Sequence, residues 1–141
     1  MTGPSDLERF VRAQDDVYRQ ALDELRNGFK RSHWIWFIFP QILGLSTTPT
    51  GKFYSIADLA EARRYLGHDL LGPRLMECVD AMLAWQGKRD AVEILGEVDA
   101  MKLASSMTLF EHISDDPRFG EMLDGFYGGT RDELTLDLLA R

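Results

Sequence analysis

Apolar residues recur along this chain at intervals of three and four, and the polar residues that break the recurrence are as informative as those that keep it. Leu7, Phe10, Val11, Val17, Tyr18, Ala21, Leu22 and Leu25 form one helical stripe. Ser5, Asp6, Leu7 and Glu8 have capping-box spacing, which predicts its start, and Gly28 is its expected left-handed stop. Gln14 sits inside the stripe where the period asks for an apolar side chain. It reads either as a buried amide bonded to a neighbouring loop or as part of a pocket wall. The block from Lys30 to Gln41 comes next and holds two of the three tryptophans and two of the eight phenylalanines. So dense an apolar run must be buried. Ser32 is the expected cap of a short helix that Pro40 ends, with a short strand as the competing assignment.

From Gly44 to Ser55 the composition turns to Gly, Ser, Thr and Pro, which predicts a loop. Its most flexible part is expected over Ser46 to Gly51, and it is the stretch long enough to act as a lid. Ser55 to Asp58 then signals a helix start, with Leu59, Ala62 and Leu66 as a narrow apolar face ending at Gly67. An irregular turn over Asp69 to Leu71 should lead into a helix from Pro73 to Trp85 that buries Leu75, Met76, Val79, Met82 and Leu83. Asp90 and Glu93 again have capping-box spacing, opening a short helix to Gly96. Asp99 is the expected cap of a helix carrying Met101, Leu103, Ala104, Met107, Phe110 and Ile113. Asp116 with Pro117 opens the next, which runs through Phe119, Met122, Leu123 and Phe126 to Gly128 and Gly129. Thr130 to Glu133 is the last capping box. No alternating runs occur, so the pattern predicts an all-α single domain over residues 1–141, with about seven helices.

Composition narrows the function classes. A chain of 141 residues with 45% hydrophobic and 28% charged residues is an ordinary globular domain that needs no metal or disulfide to hold it. The net charge of -7 and pI near 4.9 argue against sequence-independent nucleic-acid binding, which relies on Lys and Arg neutralising phosphates. The longest apolar run, Trp34 to Phe39, is far below the roughly 20 residues that cross a bilayer. Asp6 and Glu8 are unlike a signal peptide, so no membrane partner and a cytoplasmic location are expected. Cys78 is the one cysteine and reads as a small buried hydrophobe. His33, His68 and His112 lack metal-ligand spacing, and both standard nucleotide loops are absent, so neither a metal nor a cofactor is expected.

Three places depart from simple amphipathic patterning. Around the aromatic block stand Lys30, Ser32, His33 and Gln41; Trp34 and Trp36 offer faces for a flat ligand and N–H groups to orient it. The aromatics also read as plain core, and His33 as a side chain bonded to a backbone carbonyl. On the Asp99 helix, Lys102, Ser105, Ser106 and Thr108 concentrate hydroxyls and a lysine near the positive end of the dipole, which suits phosphate or carboxylate. Small hydroxyls that let helices pack closely are the structural alternative. Tyr54, Glu61, His68 and Arg74 make the third place, where a carboxylate and a histidine would serve acid and base chemistry if they met on a ligand, and would otherwise be solvated surface.

These residues carry a resemblance. Ala13-Gln14, Tyr18, Ala21-Leu22, Glu24-Leu25, Gly28, Lys30, Ser32 to Trp34 and Trp36 to Gln41 are similar to the hallmark of the bacterial domain-of-unknown-function family 1810. Tyr54, Glu61-Ala62, Tyr65-Leu66, His68, Leu71-Gly72, Arg74-Leu75, Gly96, Asp99, Lys102-Leu103, Ser105 to Phe110 and Asp132 resemble its later signatures. The strings HWxWFIFPQ and KLxSSMTLF are the most specific. Ile35 stands where the family typically has methionine, and Asp69 where it has proline. The resemblance implies an all-helical domain and no established activity. A distant likeness in size and helical character to proteins that process ADP-ribose and related N-glycosides adds weight to a nucleotide-like ligand.

The resulting expectation is a small anionic nucleotide-like or ADP-ribose-type ligand, bound and hydrolysed at its N-glycosidic bond over the aromatic floor. His33 and Glu61 would move protons; Gln14, Lys30, Trp34, Trp36, Gln41, Tyr54, Arg74, Lys102, Ser105 and Ser106 would bind. The alternative is a non-enzymatic protein-interaction module whose polar residues only fix helix packing. Geometry separates the two: the enzyme requires Gln14, Lys30, His33, Glu61, Lys102 and Ser106 to converge.

Overall fold

Helix starts in this chain are set by side chains that receive free backbone N–H groups, and several are not the side chains the spacing predicts. The computed structural model describes residues 7–141. Among these residues it contains α1 (Glu8–Asp15), α2 (Tyr18–Arg26), α3 (Ile35–Ile38), α4 (Pro49–Phe53), α5 (Leu59–Gly67), α6 (Leu71–Leu83), α7 (Ala91–Leu95), α8 (Glu97–Ile113), α9 (Pro117–Tyr127) and α10 (Glu133–Leu139). Seven of these ten helices have seven residues or more, and no strand is present among the described residues, so the fold is all-α. A parallel bridge between Ile42 and Ile56 is isolated.

The expected helix from Leu7 to Leu25 is two helices. Asp15 and Asp16 stand at the break, where carboxylates oppose the negative end of α1 and favour the positive end of α2. Val17 leaves helical geometry at φ -123° and its N–H turns back to the Gln14 carbonyl at 3.0 Å. Ser5 and Asp6 of the expected first capping box lie outside the described residues. Ser32 caps nothing, because its hydroxyl is committed to Glu24. The Gly44 to Ser55 stretch is not the loose loop expected. Thr48 accepts the Gly51 N–H at 3.1 Å to start α4 with Pro49 in its first turn, and Ser55 donates to the Gly51 carbonyl at 2.7 Å.

Asp58, rather than Ser55, caps α5 by accepting from the Glu61 N–H at 2.8 Å. Helix α6 starts ahead of Pro73, since His68 Nδ1 receives the N–H groups of Leu70 and Leu71 at 3.1 and 3.2 Å. Pro73 therefore falls in the first turn, where its missing N–H breaks no helical bond. Gly96 precedes α8, which places Asp99 inside the first turn rather than at the cap. Asp132 starts α10 in place of Thr130, accepting from the Thr135 N–H at 3.1 Å. The Asp90–Glu93 box, the Asp116–Pro117 start and the left-handed Gly128 are as expected.

Helix α8 is the axis of the packing and meets α3, α5, α7, α9 and α10. Aromatic rings link successive layers: Phe10 of α1 stands edge-on to Tyr65 of α5 at 5.0 Å, Tyr65 meets Phe110 of α8 at 5.7 Å, and Phe110 stacks on Phe119 of α9 at 5.7 Å. Helix α3 has four residues and leaves carbonyls without helical partners. Gln14, 1% exposed, supplies one: its amide donates to the Phe37 carbonyl at 2.7 Å and to the Tyr65 hydroxyl at 3.0 Å. Arg74 donates to its Oε1 at 3.3 Å, so one amide ties α1 to α3, α5 and α6.

The turn between α2 and α3 is set by Glu24. Gly28, at φ 75°, reverses the chain under the Trp85 ring, where an added Cβ would approach Cζ2 to 2.7 Å. Residues 31–34 then fold back over α2. Glu24 Oε1 accepts from Arg31 N–H at 2.8 Å, Ser32 N–H at 3.0 Å and the Trp34 indole at 2.9 Å, and Oε2 accepts from the Ser32 hydroxyl at 2.7 Å. Burial by itself would raise the pKa of this carboxyl. The Arg31, Ser32 and Trp34 donors outweigh that effect and hold it at about 2.

The Glu24 pKa is depressed on folding, so its contribution of roughly 3 kcal/mol is complete above the unfolded-state value and is lost as pH falls from about 5 towards 2. Urea denaturation of Glu24→Gln should show a loss of about 2–3 kcal/mol at pH 7 and a correspondingly flatter acid limb; an unchanged acid limb would contradict the role given to Glu24. A Cβ on Gly72 would lie 2.1 Å from the Leu66 carbonyl oxygen, whereas one on Gly67 would meet nothing within 4 Å. Gly72→Ala is therefore expected to cost about 2–4 kcal/mol while Gly67→Ala is neutral or mildly stabilising, read from the same denaturation curves.

Candidate functional site

The Glu24 turn delivers Lys30 and Trp34 to the start of α8. The Lys30 backbone N–H bonds the Ile94 carbonyl of α7 at 2.7 Å, which fixes where the side chain leaves the chain. Its side chain is 7% exposed and places the ammonium 2.6 Å from Asp99 Oδ2 and 5.0 Å from the centroid of Trp34. Lys102, three residues along α8 from Asp99, places its ammonium 3.9 Å from Oδ1 and 4.7 Å from the centroid of Trp36. Two ammonium groups thus share one carboxylate, and each rests on an indole. Trp34 is buried and its N–H is spent on Glu24; Trp36 is half-buried and reaches solvent.

Ser106 belongs to the same side of α8. At 100° per residue, Asp99, Lys102 and Ser106 fall within about 60° of one another. Its hydroxyl is buried and has no hydrogen-bond partner among the described residues. Its neighbours behave otherwise: Ser105 bonds the Met101 carbonyl and Asp132 Oδ2, and Thr108 bonds the Ala104 carbonyl and receives the Asp132 N–H. Ser105 and Thr108 therefore serve the docking of α10. Of the hydroxyls that made this helix unusual, Ser106 is the one with no partner among the described residues.

The remaining candidates have other partners, or none among the described residues. His33 is exposed and makes no hydrogen bond or ion pair with the described residues. Gln41 uses its backbone carbonyl to accept the Ile56 N–H at 2.7 Å. Tyr54 packs its ring on Phe53, Phe37 and Phe10 at 4.9, 5.3 and 6.1 Å. Glu61, 1% exposed, is gripped by both Arg9 terminal nitrogens at 3.0 and 3.2 Å and accepts the Ala57 N–H at 2.8 Å. Arg9 also donates to the Phe53 and Ser55 carbonyls at 2.8 Å, which fastens the end of the Gly44 to Ser55 stretch that is long enough to act as a lid. Arg74 lies 4.7 Å over Tyr18 and reaches Gln14. No direct hydrogen bond, ion pair or ring contact joins Gln14, Tyr54, Glu61 or Arg74 to the Lys30–Lys102 group.

Arg9 and Glu24 are absent from the candidate site residues, yet Glu24 has a signal. It lies on the apolar stripe of α2 between Ala21 and Leu25, the same kind of interruption as Gln14. Burial pushes the Cys78 thiol up to about 12, which removes it as a nucleophile at neutral pH. Among the described residues no group of three or more His, Cys, Asp or Glu side chains is placed to hold a metal ion, and no helix is long and apolar enough to cross a membrane. A surface cavity of about 620 Å³ runs along α2 past Arg19, Asp23, Glu24, Phe29 and Arg31, without Trp34 or Trp36 in its walls.

No curated protein matches this chain. Among solved structures, the crystal structure of the conserved hypothetical protein Rv1873 from Mycobacterium tuberculosis superposes with a TM-score of 0.95 at 50% sequence identity, covering 99% of each chain. The profile of the family described as protein of unknown function, DUF1810, matches residues 4–139. That match runs through every helix from α1 to α10 and takes in both the Glu24 turn and the lysine–tryptophan face. The chain belongs to the DUF1810 family.

Proposed function

We propose that the face formed by Lys30, Trp36, Asp99 and Lys102 binds a small anionic ligand with a flat ring, of the nucleotide type. The observation that carries this reading is the pairing of two ammonium groups with one carboxylate beside a solvent-reaching indole. Two positive charges less one negative leave the face with one unmatched positive charge. On a chain whose net charge is -7 such a spot is local, so it suits a small anion and not an extended polyanion. The indole supplies stacking area, whereas Ser106, on the same side of α8, is fully buried and stays beneath the face.

Binding is the activity this arrangement supports best. Hydrolysis of an N-glycosidic bond needs a proton-transferring group within reach of the ligand. Glu61 is committed to Arg9, which leaves the exposed His33, next to Trp34 in the chain, as the residue through which such chemistry would run.

Calorimetric titration with AMP, ADP-ribose, NAD and inorganic phosphate tests the reading. At least one nucleotide should bind with a dissociation constant below about 1 mM, weakening with added salt. Lys102→Gln should weaken it by about tenfold or more, as expected for a lost charge-assisted contact. Heatless titrations up to about 10 mM for all four compounds, or an unaffected Lys102→Gln variant, would contradict it.

A further inference from the structure

The aromatic face just described is already covered from within the chain. The Lys102 ammonium stands 4.7 Å from the Trp36 centroid, in the space where a stacked ring would lie. Its hold on Asp99 is loose at 3.9 Å, compared with 2.6 Å for Lys30, and its side chain is 24% exposed against 7%. Of the two lysines, Lys102 is the one free to move. Lys30 is enclosed between Asp99 and Trp34 and remains as a fixed charge.

Resting on the binding reading above, we propose that Lys102 is a gate: it occupies the Trp36 face in the free protein and swings onto the ligand's phosphate when a nucleotide ring takes that face. A ring and an ammonium cannot share one indole face. An uncharged nucleoside must therefore displace Lys102 without offering it a new partner. A nucleotide repays the lost cation–π contact with an ion pair, so the gate selects phosphorylated over unphosphorylated ligands beyond what a simple phosphate contact would give.

Simple contact and gate differ in sign for the neutral ligand. Adenosine and AMP are titrated into wild-type protein and into Lys102→Met, which keeps the apolar stem and removes the charge, with Lys102→Gln as a second variant and thermal melting to check folding. The gate predicts that adenosine binds Lys102→Met about two- to fivefold more tightly than wild type, while AMP binds more weakly. Trp36→Leu introduced into Lys102→Met should abolish the gain for adenosine. If AMP weakens but adenosine is no tighter in either variant, Lys102 is only a phosphate contact and the gate is overturned while the binding site stands. If neither compound binds any of the proteins, the gate and the nucleotide reading fall together.

Discussion

A carboxylate taken out of water must have its lone pairs filled by the protein, and Glu24 meets that demand with four donors drawn from a single turn. The consequence runs outward from there. Because Arg31, Ser32 and Trp34 all answer to one side chain on α2, the chain between Gly28 and Trp34 has little freedom, and the indole of Trp34 is oriented from its N–H end. Lys30 lies inside that turn. Its ammonium therefore arrives at Asp99 by way of the Glu24 geometry, and the charge pattern at the start of α8 depends on a carboxylate one helix away. Most of the buried ring area, from Phe10 through Tyr65 and Phe110 to Phe119, needs only shape complementarity; this turn needs specific partners.

The all-α class was legible because its signal, apolar recurrence at helical spacing, survives local errors. Boundaries were less so. The stripe from Leu7 to Leu25 runs unbroken in the sequence, yet Asp15 and Asp16 split it through their opposite effects on the two helix ends they touch. Gly44 to Ser55 has loop composition, but Thr48 and Ser55 close a short helix within it and Arg9, from a remote part of the chain, fastens its end. No local reading of composition can find a partner more than forty residues away. Gln14 and Glu24 are the opposite case: each is a polar residue at an apolar position, and in each the interruption marks a buried node that organises α3. The family resemblance named both positions without saying what they do.

The candidate site was legible in part for the same reasons. Lys30, Trp34, Trp36 and Lys102 are brought to one face, with Asp99 as the shared counterion. Ser105 and Thr108, alike in sequence to Ser106, are used by α10. Glu61, Tyr54, Arg74 and Gln14 are placed elsewhere, each held by contacts that bind helices together. What separates the two groups is commitment: the side chains of Gln14, Glu61 and Arg74 have hydrogen-bond partners that hold them, whereas the face keeps a loosely held ammonium and a solvent-reaching indole. Free polar capacity of this kind is what a ligand can use, and residue type alone cannot reveal it.

The three tryptophans make a direct test of where a ligand sits. Trp34 donates its indole N–H to Glu24 and Trp85 donates to the Leu25 carbonyl at 2.8 Å, while Trp36 lies under Lys102. In a nitrogen–proton correlation spectrum recorded during titration with AMP, the Trp36 indole signal should shift progressively while the Trp34 and Trp85 signals stay nearly still. A Trp36 signal that stays fixed at saturating AMP, or one that moves no more than the other two, would contradict binding at Trp36.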